Sequence, residues 1–197
     1  MNFDVLEKNL LNKGYDVKIF STGEEAVDYL NEQIDETSVG FGGSGTLDQL
    51  GLYDVLKTHN DVVWHWKEEP NKARRDAMTT AIYMSSVNAI AETGEIVNMD
   101  GNGNRVASTL FGHEKVYFVI GKNKVTKTYE DAVWRVRNVA SPKRAQQMHK
   151  KTPCAKRADK CYDCASPERI CRGMVTLFGP MMMGSAEVIL IEEDYGN

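Results

Sequence analysis

All four cysteines of the chain, Cys154, Cys161, Cys164 and Cys171, fall in one short stretch as C-x6-C-x2-C-x6-C. Thiolates ligate soft and borderline metals, and a four-sulfur set suits zinc or an iron–sulfur cluster. Structural zinc commonly takes two close pairs. Here only Cys161 and Cys164 form one, so the spacing leans toward a cluster and leaves zinc open. Between Lys143 and Arg172 nine Lys or Arg face three acids, and surrounding positive charge lowers thiol pKa and favours ligation. Two disulfides, or a redox-active Cys161–Cys164 dithiol, are the alternative uses. The segment 152–172 has no apolar periodicity, so a metal centre is expected to order it. Its basic charge is assigned to the thiolates and not to nucleic acid, because interleaved aromatics for base stacking are missing.

A second candidate is Gly40-Phe41-Gly42-Gly43-Ser44-Gly45-Thr46, between an expected strand and an expected helix. Backbone N–H groups and the helix dipole there favour a phosphate or carboxylate, so Gly42, Gly43, Ser44, Gly45 and Thr46 are candidate ligand-binding residues. The loop also reads G-x-G-x-x-G, with Glu68 or Glu69 placed where a dinucleotide site wants an acid. It follows the second strand and not the first, which weighs against a nucleotide-binding oxidoreductase. No Gly-Lys-Ser/Thr ends the loop, which excludes a P-loop. A plain tight turn is the bland alternative.

A third cluster runs from Asn88 to Arg105, where polar residues and glycines crowd strand ends. Carboxyl ends of parallel strands are where α/β sheets bind ligands, which makes Asn88, Glu92, Asp100, Asn104 and Arg105 candidates. For Asp100-Gly101-Asn102-Gly103 turn chemistry is the simpler reading. Arg105 offers a planar cationic fork for a carboxylate or phosphate. His65, between Trp64 and Trp66, reads as a strand residue and not as a base.

Positioning these residues requires alternating strands and helices. Phe3, Leu6 and Leu10 mark a first helix that stops at Lys13-Gly14, and Tyr15 to Phe20 alternates as a strand. Ser21 with Glu24 is expected to cap the next helix. A strand at 38–41, a helix at 46–58, a strand at 61–66 and a helix from Pro70 through Ile82 continue the pattern. Strands follow at 84–87, 96–99 and 115–120, the last reading as buried on both faces and central to the sheet. Two helices, 128–139 and one after Ser141-Pro142, precede the cysteines, and strands at 174–178 and 186–191 are expected to close the chain as a hairpin. The fold class is α/β, a mostly parallel sheet flanked by helices.

A chain of 197 residues with 42% hydrophobic and 26% charged residues suits a single domain over 1–197, cysteine segment included. A net charge of -4 gives no global pull toward nucleic acid or anionic membrane. Neither a signal-type leader nor the roughly 20 apolar residues of a membrane span is present, so a cytoplasmic protein is expected.

Asn88-Ala89-Ile90, Glu92-Thr93-Gly94, the turn Asp100 to Arg105, Gly121-Lys122-Asn123-Lys124, and Thr152-Pro153-Cys154 through Arg169-Ile170-Cys171 together resemble the lactate-utilisation (LUD) domain family over nearly the whole chain. The resemblance is to short members with a C-terminal cysteine segment, and it brings Lys124 into the ligand-binding set. It implies a fold similar to sugar-phosphate isomerases and coenzyme A transferases, with ligand phosphate at the glycine loop. It also implies association with iron–sulfur proteins of bacterial lactate oxidation. The ferredoxin-type cysteine repeats of long members are missing here. The expected function is therefore a ligand-binding or accessory subunit of lactate or 2-hydroxy-acid oxidation that takes a small phosphate- or carboxylate-bearing ligand. The alternative is an enzyme resembling acyl-coenzyme A transferases, or acting on a sugar phosphate, with Glu92 as nucleophile.

Overall fold

A computed structural model describes residues 3–197 of the chain. In order the elements are α1 (Asp4–Asn12), β1 (Asp16–Phe20), α2 (Gly23–Gln33), β2 (Ser38–Phe41), α3 (Gly45–Gln49), α4 (Leu52–Leu56), β3 (Asp61–Trp64) and α5 (Pro70–Asp76). Then come β4 (Ile82–Ser85), β5 (Ala89–Ala91), β6 (Ile96–Asp100), α6 (Asn104–Leu110), β7 (Lys115–Gly121), β8 (Val125–Thr126), α7 (Tyr129–Arg135), α8 (Ser141–Gln147), β9 (Gly173–Leu177) and β10 (Ser185–Ile191).

Six strands form a wholly parallel sheet in the order β1-β10-β7-β4-β2-β3. Its inner strands read as apolar runs because both faces are covered. Along β7, Val116, Phe118 and Ile120 pack on one side with α1, while Tyr117 and Val119 pack on the other with α2 and α4. The side shared with α1 is closed by a second sheet, β8-β5-β6-β9, which contributes Ile90, Ile96, Val125 and Leu177 to the same core. α7 covers the outer face of that second sheet through Ala132.

The expected hairpin at the end of the chain does not form. β9 pairs antiparallel with β6, and β10 crosses into the parallel sheet between β1 and β7. The two strands differ in what they can bury: β10 has six consecutive buried residues, Ala186 to Ile191, and fits only an inner position, whereas β9 begins exposed. β5 and β8, too short for a periodic signal, are additions to the sequence reading.

Helix boundaries shift for local reasons. The capping box is Thr22 with Glu25, one residue later than expected. The helix expected at 46–58 breaks at Gly51, whose φ of 66° suits glycine. The helix from Pro70 ends at Asp76, and Ile82 starts β4. α7 and α8 are joined through a π-helical turn, Val136–Ala140. The wider turn precedes Pro142, which has no N–H to give to an α-helical ladder.

Phe118 is 1% exposed in the core between the sheets. Its replacement by Ala is expected to cost about 3–5 kcal/mol, read from denaturant unfolding. A loss of less than about 1 kcal/mol would contradict a close-packed inter-sheet core.

Candidate functional site

β2 and β4 lie side by side, but the chain leaves β2 toward β3 on one side and leaves β4 toward β7 on the other. Connections that diverge from the carboxyl ends of neighbouring parallel strands leave a crevice. A cleft of about 640 Å³ opens there. Its walls are segments that follow the strands: Gly43-Ser44-Gly45 after β2, His65-Trp66 after β3, Ser86 to Asn88 after β4, Lys124 after β7, and Gly196-Asn197 after β10.

The glycine loop is shaped by what must approach it. A Cβ on Gly42 would lie 2.9 Å from Tyr83 Oη and 3.0 Å from Arg105 Cγ, and one on Gly43 would lie 3.3 Å from His65 Nε2. Gly45 is different, since a Cβ there meets only Gly196 Cα at 3.9 Å. α3 is only five residues long, and Ser44 Oγ caps it by accepting from Leu47 N. So short a helix has little dipole to offer an anion. Charge in the cleft comes from side chains instead: Arg74, Arg105, Lys124, Arg144, Lys150, Arg169 and Arg172 line it, against Asp100 and Glu168.

Arg105 is not a free fork. Its Nη1 donates to Ser86 O at 3.2 Å and Asn98 Oδ1 at 2.6 Å, and its Nη2 to Asn88 Oδ1 at 3.0 Å and Met99 O at 2.8 Å. The guanidinium ties the end of β4 to β6 and orients Asn88. Asp100 is a turn and cap residue, accepting from Asn102 N, Gly103 N and Val106 N. Asn104 opens α6 and lines the cleft.

Lys124 sits on the cleft floor with 3% exposure. Its Nζ donates to Thr46 Oγ1 at 2.6 Å and Ser86 Oγ at 2.7 Å. Thus Thr46, itself 1% exposed, serves the site from beneath by holding this amine. No carboxylate pairs with Lys124 among the described residues. Burial pushes its pKa down from the ordinary lysine value to about 7, and the charges of Arg135 and Arg105 push the same way. The last residues roof it: a Cβ on Gly196 would lie 3.0 Å from Nζ.

The family of the chain is decided by its sequence. The LUD domain family matches residues 3–191. The chain belongs to the LUD-domain family. A crystal structure of a DUF162 family protein from Deinococcus radiodurans is similar over 95% of this chain and 94% of that one, with a TM-score of 0.56 and 12% identity. That likeness shows the fold alone. No curated protein matches this LUD chain by sequence.

Two sequence expectations change. Glu92 lies off the cleft, its carboxylate 3.0 Å from Lys127 Nζ and its carbonyl accepting from Asn9 Nδ2 on α1. A nucleophile must reach the ligand, so the transferase-like role for Glu92 is withdrawn. His65 is not in a strand but lines the cleft after β3, with its pKa lowered to about 4, by burial first and Arg74 second. Sequence reading also missed Ser86, Arg144, whose guanidinium lies 4.9 Å over the Trp66 ring, and the tail. Only the strand-end rule could have flagged Ser86, two residues before Asn88.

The four cysteines are unpaired thiols of intermediate exposure. Arg169 donates to the carbonyls of Cys164 and Cys171, and Asn138 in the π-helical turn accepts from Cys161 N. Among the described residues no three His, Cys, Asp or Glu gather as a metal-ligand group. The loop between Cys164 and Cys171 instead supplies a wall of the LUD cleft through Pro167 to Ile170.

Lys124 binds fewer protons folded than unfolded between about pH 7 and its ordinary value of 10.5. Stability therefore rises with pH across that window. Relative to Lys124→Met, the wild type is expected to gain stability from about pH 7 upward and to show a flat difference below it. Denaturant titrations across pH check this, and parallel profiles would contradict the depressed amine. A second pair of variants tests the loop: Gly42→Ala is expected to cost about 1–3 kcal/mol by overpacking, with Gly45→Ala nearly neutral. Equal losses in thermal unfolding would show that the close approach at Gly42 is not what fixes the loop.

Proposed function

We propose that this LUD protein binds a small phosphate- or carboxylate-bearing metabolite in the cleft, as the ligand-binding or accessory component of lactate or related 2-hydroxy-acid oxidation. The observation that carries the reading is Lys124, a buried amine with hydroxyl partners and no counter-ion, on the floor of a cleft where seven cationic side chains face two acids. A buried cation normally finds a partner within the protein. One with hydroxyl partners but no counter-ion among the described residues, beside a positively charged wall, leaves the compensating charge to a ligand.

Arg144, Lys150, Arg169 and Arg172 were assigned from sequence to thiolate compensation. Their place on the cleft wall supports a second use, holding the anionic end of the ligand. Arginine suits this because its fork matches a carboxylate or phosphate. The volume of about 640 Å³ fits a metabolite of several heavy groups better than a lone inorganic ion. No helix among the described residues is long and apolar enough to cross a membrane.

A panel of inorganic phosphate, lactate, pyruvate and ribose 5-phosphate tests the reading by thermal shift. A ligand at a hundredfold excess over its Kd adds about 2.7 kcal/mol, roughly 5–10 °C for a chain of this size. The shift should vanish in Lys124→Met. An unchanged melting temperature across the panel, or an undiminished shift in that variant, would remove Lys124 from ligand binding. The four-cysteine centre is a separate proposal with its own test. Zinc, or iron with acid-labile sulfide, retained after anaerobic purification supports it, and metal-free protein with four titratable thiols overturns it.

A further inference from the structure

We propose that the Lys124 amine is a nucleophile that condenses with the carbonyl carbon of an anionic aldehyde or ketone held in the cleft, forming an imine. The inference rests on the anion-binding reading above and narrows its ligand to carbonyl-bearing anions, such as a 2-oxo acid or a phosphorylated sugar.

The partners of Nζ point this way. A carboxylate beside a lysine locks it as ammonium, whereas hydroxyls serve either form, accepting from the ammonium or donating to the free amine. Lys124 has two hydroxyls, Thr46 Oγ1 and Ser86 Oγ, at 2.6 and 2.7 Å. Arg105 and Arg135 stand near enough to disfavour the ammonium, and burial does so more strongly. Desolvated lysines beside other cations are the kind that act as amine nucleophiles. Division of labour in the cleft adds to this. Arg144, Arg169 and Arg172 on the wall have no accessible lone pair and can hold the carboxylate or phosphate, which leaves the carbonyl for the floor. Gly196 roofs the amine and limits the water that would reverse the reaction.

In the step, the Nζ lone pair attacks the carbonyl carbon. The carbonyl oxygen takes up a proton as the nitrogen gives one up, leaving a carbinolamine. The C–O bond then breaks and the hydroxyl departs with a second proton as water, while the nitrogen loses its remaining proton and the C=N bond forms. One water is released for each imine, and nothing is oxidised or reduced. The Ser86 and Thr46 hydroxyls are placed to relay these protons.

The test uses the wild-type full chain, incubated at neutral pH with pyruvate or with ribose 5-phosphate and reduced with sodium borohydride. Reduction converts an imine into a stable secondary amine, which peptide mapping locates. The expected result is an adduct on Lys124 in preference to exposed lysines such as Lys127, whose side chain is 79% exposed, and suppressed by excess inorganic phosphate. An adduct with pyruvate alone assigns a 2-oxo acid, and with ribose 5-phosphate alone a phosphorylated sugar. A thermal shift with either compound but no Lys124 adduct overturns the imine and leaves the anion cleft standing. Neither a shift nor an adduct overturns both.

Discussion

The site depends on a guanidinium that has no choice but to be charged. Arg105 is only 11% exposed, and its ion-pair partner Asp100 lies 3.9 Å away. Its donors are met by backbone and amide oxygens drawn from the end of β4 and from β6. Breaking one side of such a network strands a buried charge, which costs several kcal/mol. Arg105 thereby pins the second sheet to the end of the parallel sheet and holds Ser86 and Asn88 in place. Ser86 in turn helps to hold Lys124. The residue that looked like a ligand fork is the brace that builds the cleft's floor.

Lys124 then inherits an awkward position. It is buried, next to Arg105 and Arg135, and bound only to two hydroxyls. Such an amine destabilises the protein wherever it is charged, and a stability-driven sequence would replace it with an apolar residue. Its presence at the carboxyl ends of parallel strands, in a cleft with a strong excess of cations, is what the proposed binding role accounts for, since functional sites give up stability.

Much of this was legible in the sequence. The apolar run of β7 announced a central strand, and Gly43 to Gly45, Asn88 and Arg105, which the sequence singled out, line one cleft. What failed were inferences that need pairing partners. β9 and β10 looked like a hairpin because they are neighbours in sequence, but the burial of β10 on both faces drew it into the parallel sheet. Glu92 looked reactive in Glu92-Thr93-Gly94, but Lys127 and Asn9 claim it. The basic residues around the cysteines were explained by the nearest thiols, because sequence shows charge and not the direction in which it points. They reach the cleft from α8 (Arg144), from just after it (Lys150), from the loop between Cys164 and Cys171 (Arg169) and from just after Cys171 (Arg172).

The central claim is that Lys124 is a buried amine held near neutrality and open to an anion. Its pKa can be measured directly, by NMR titration of the side-chain Cε and Nζ resonances assigned by loss in Lys124→Met. The expected result is a midpoint of about 7 in the free protein, moving upward when inorganic phosphate is bound. A midpoint at the ordinary lysine value of 10.5, unmoved by phosphate, would contradict the account.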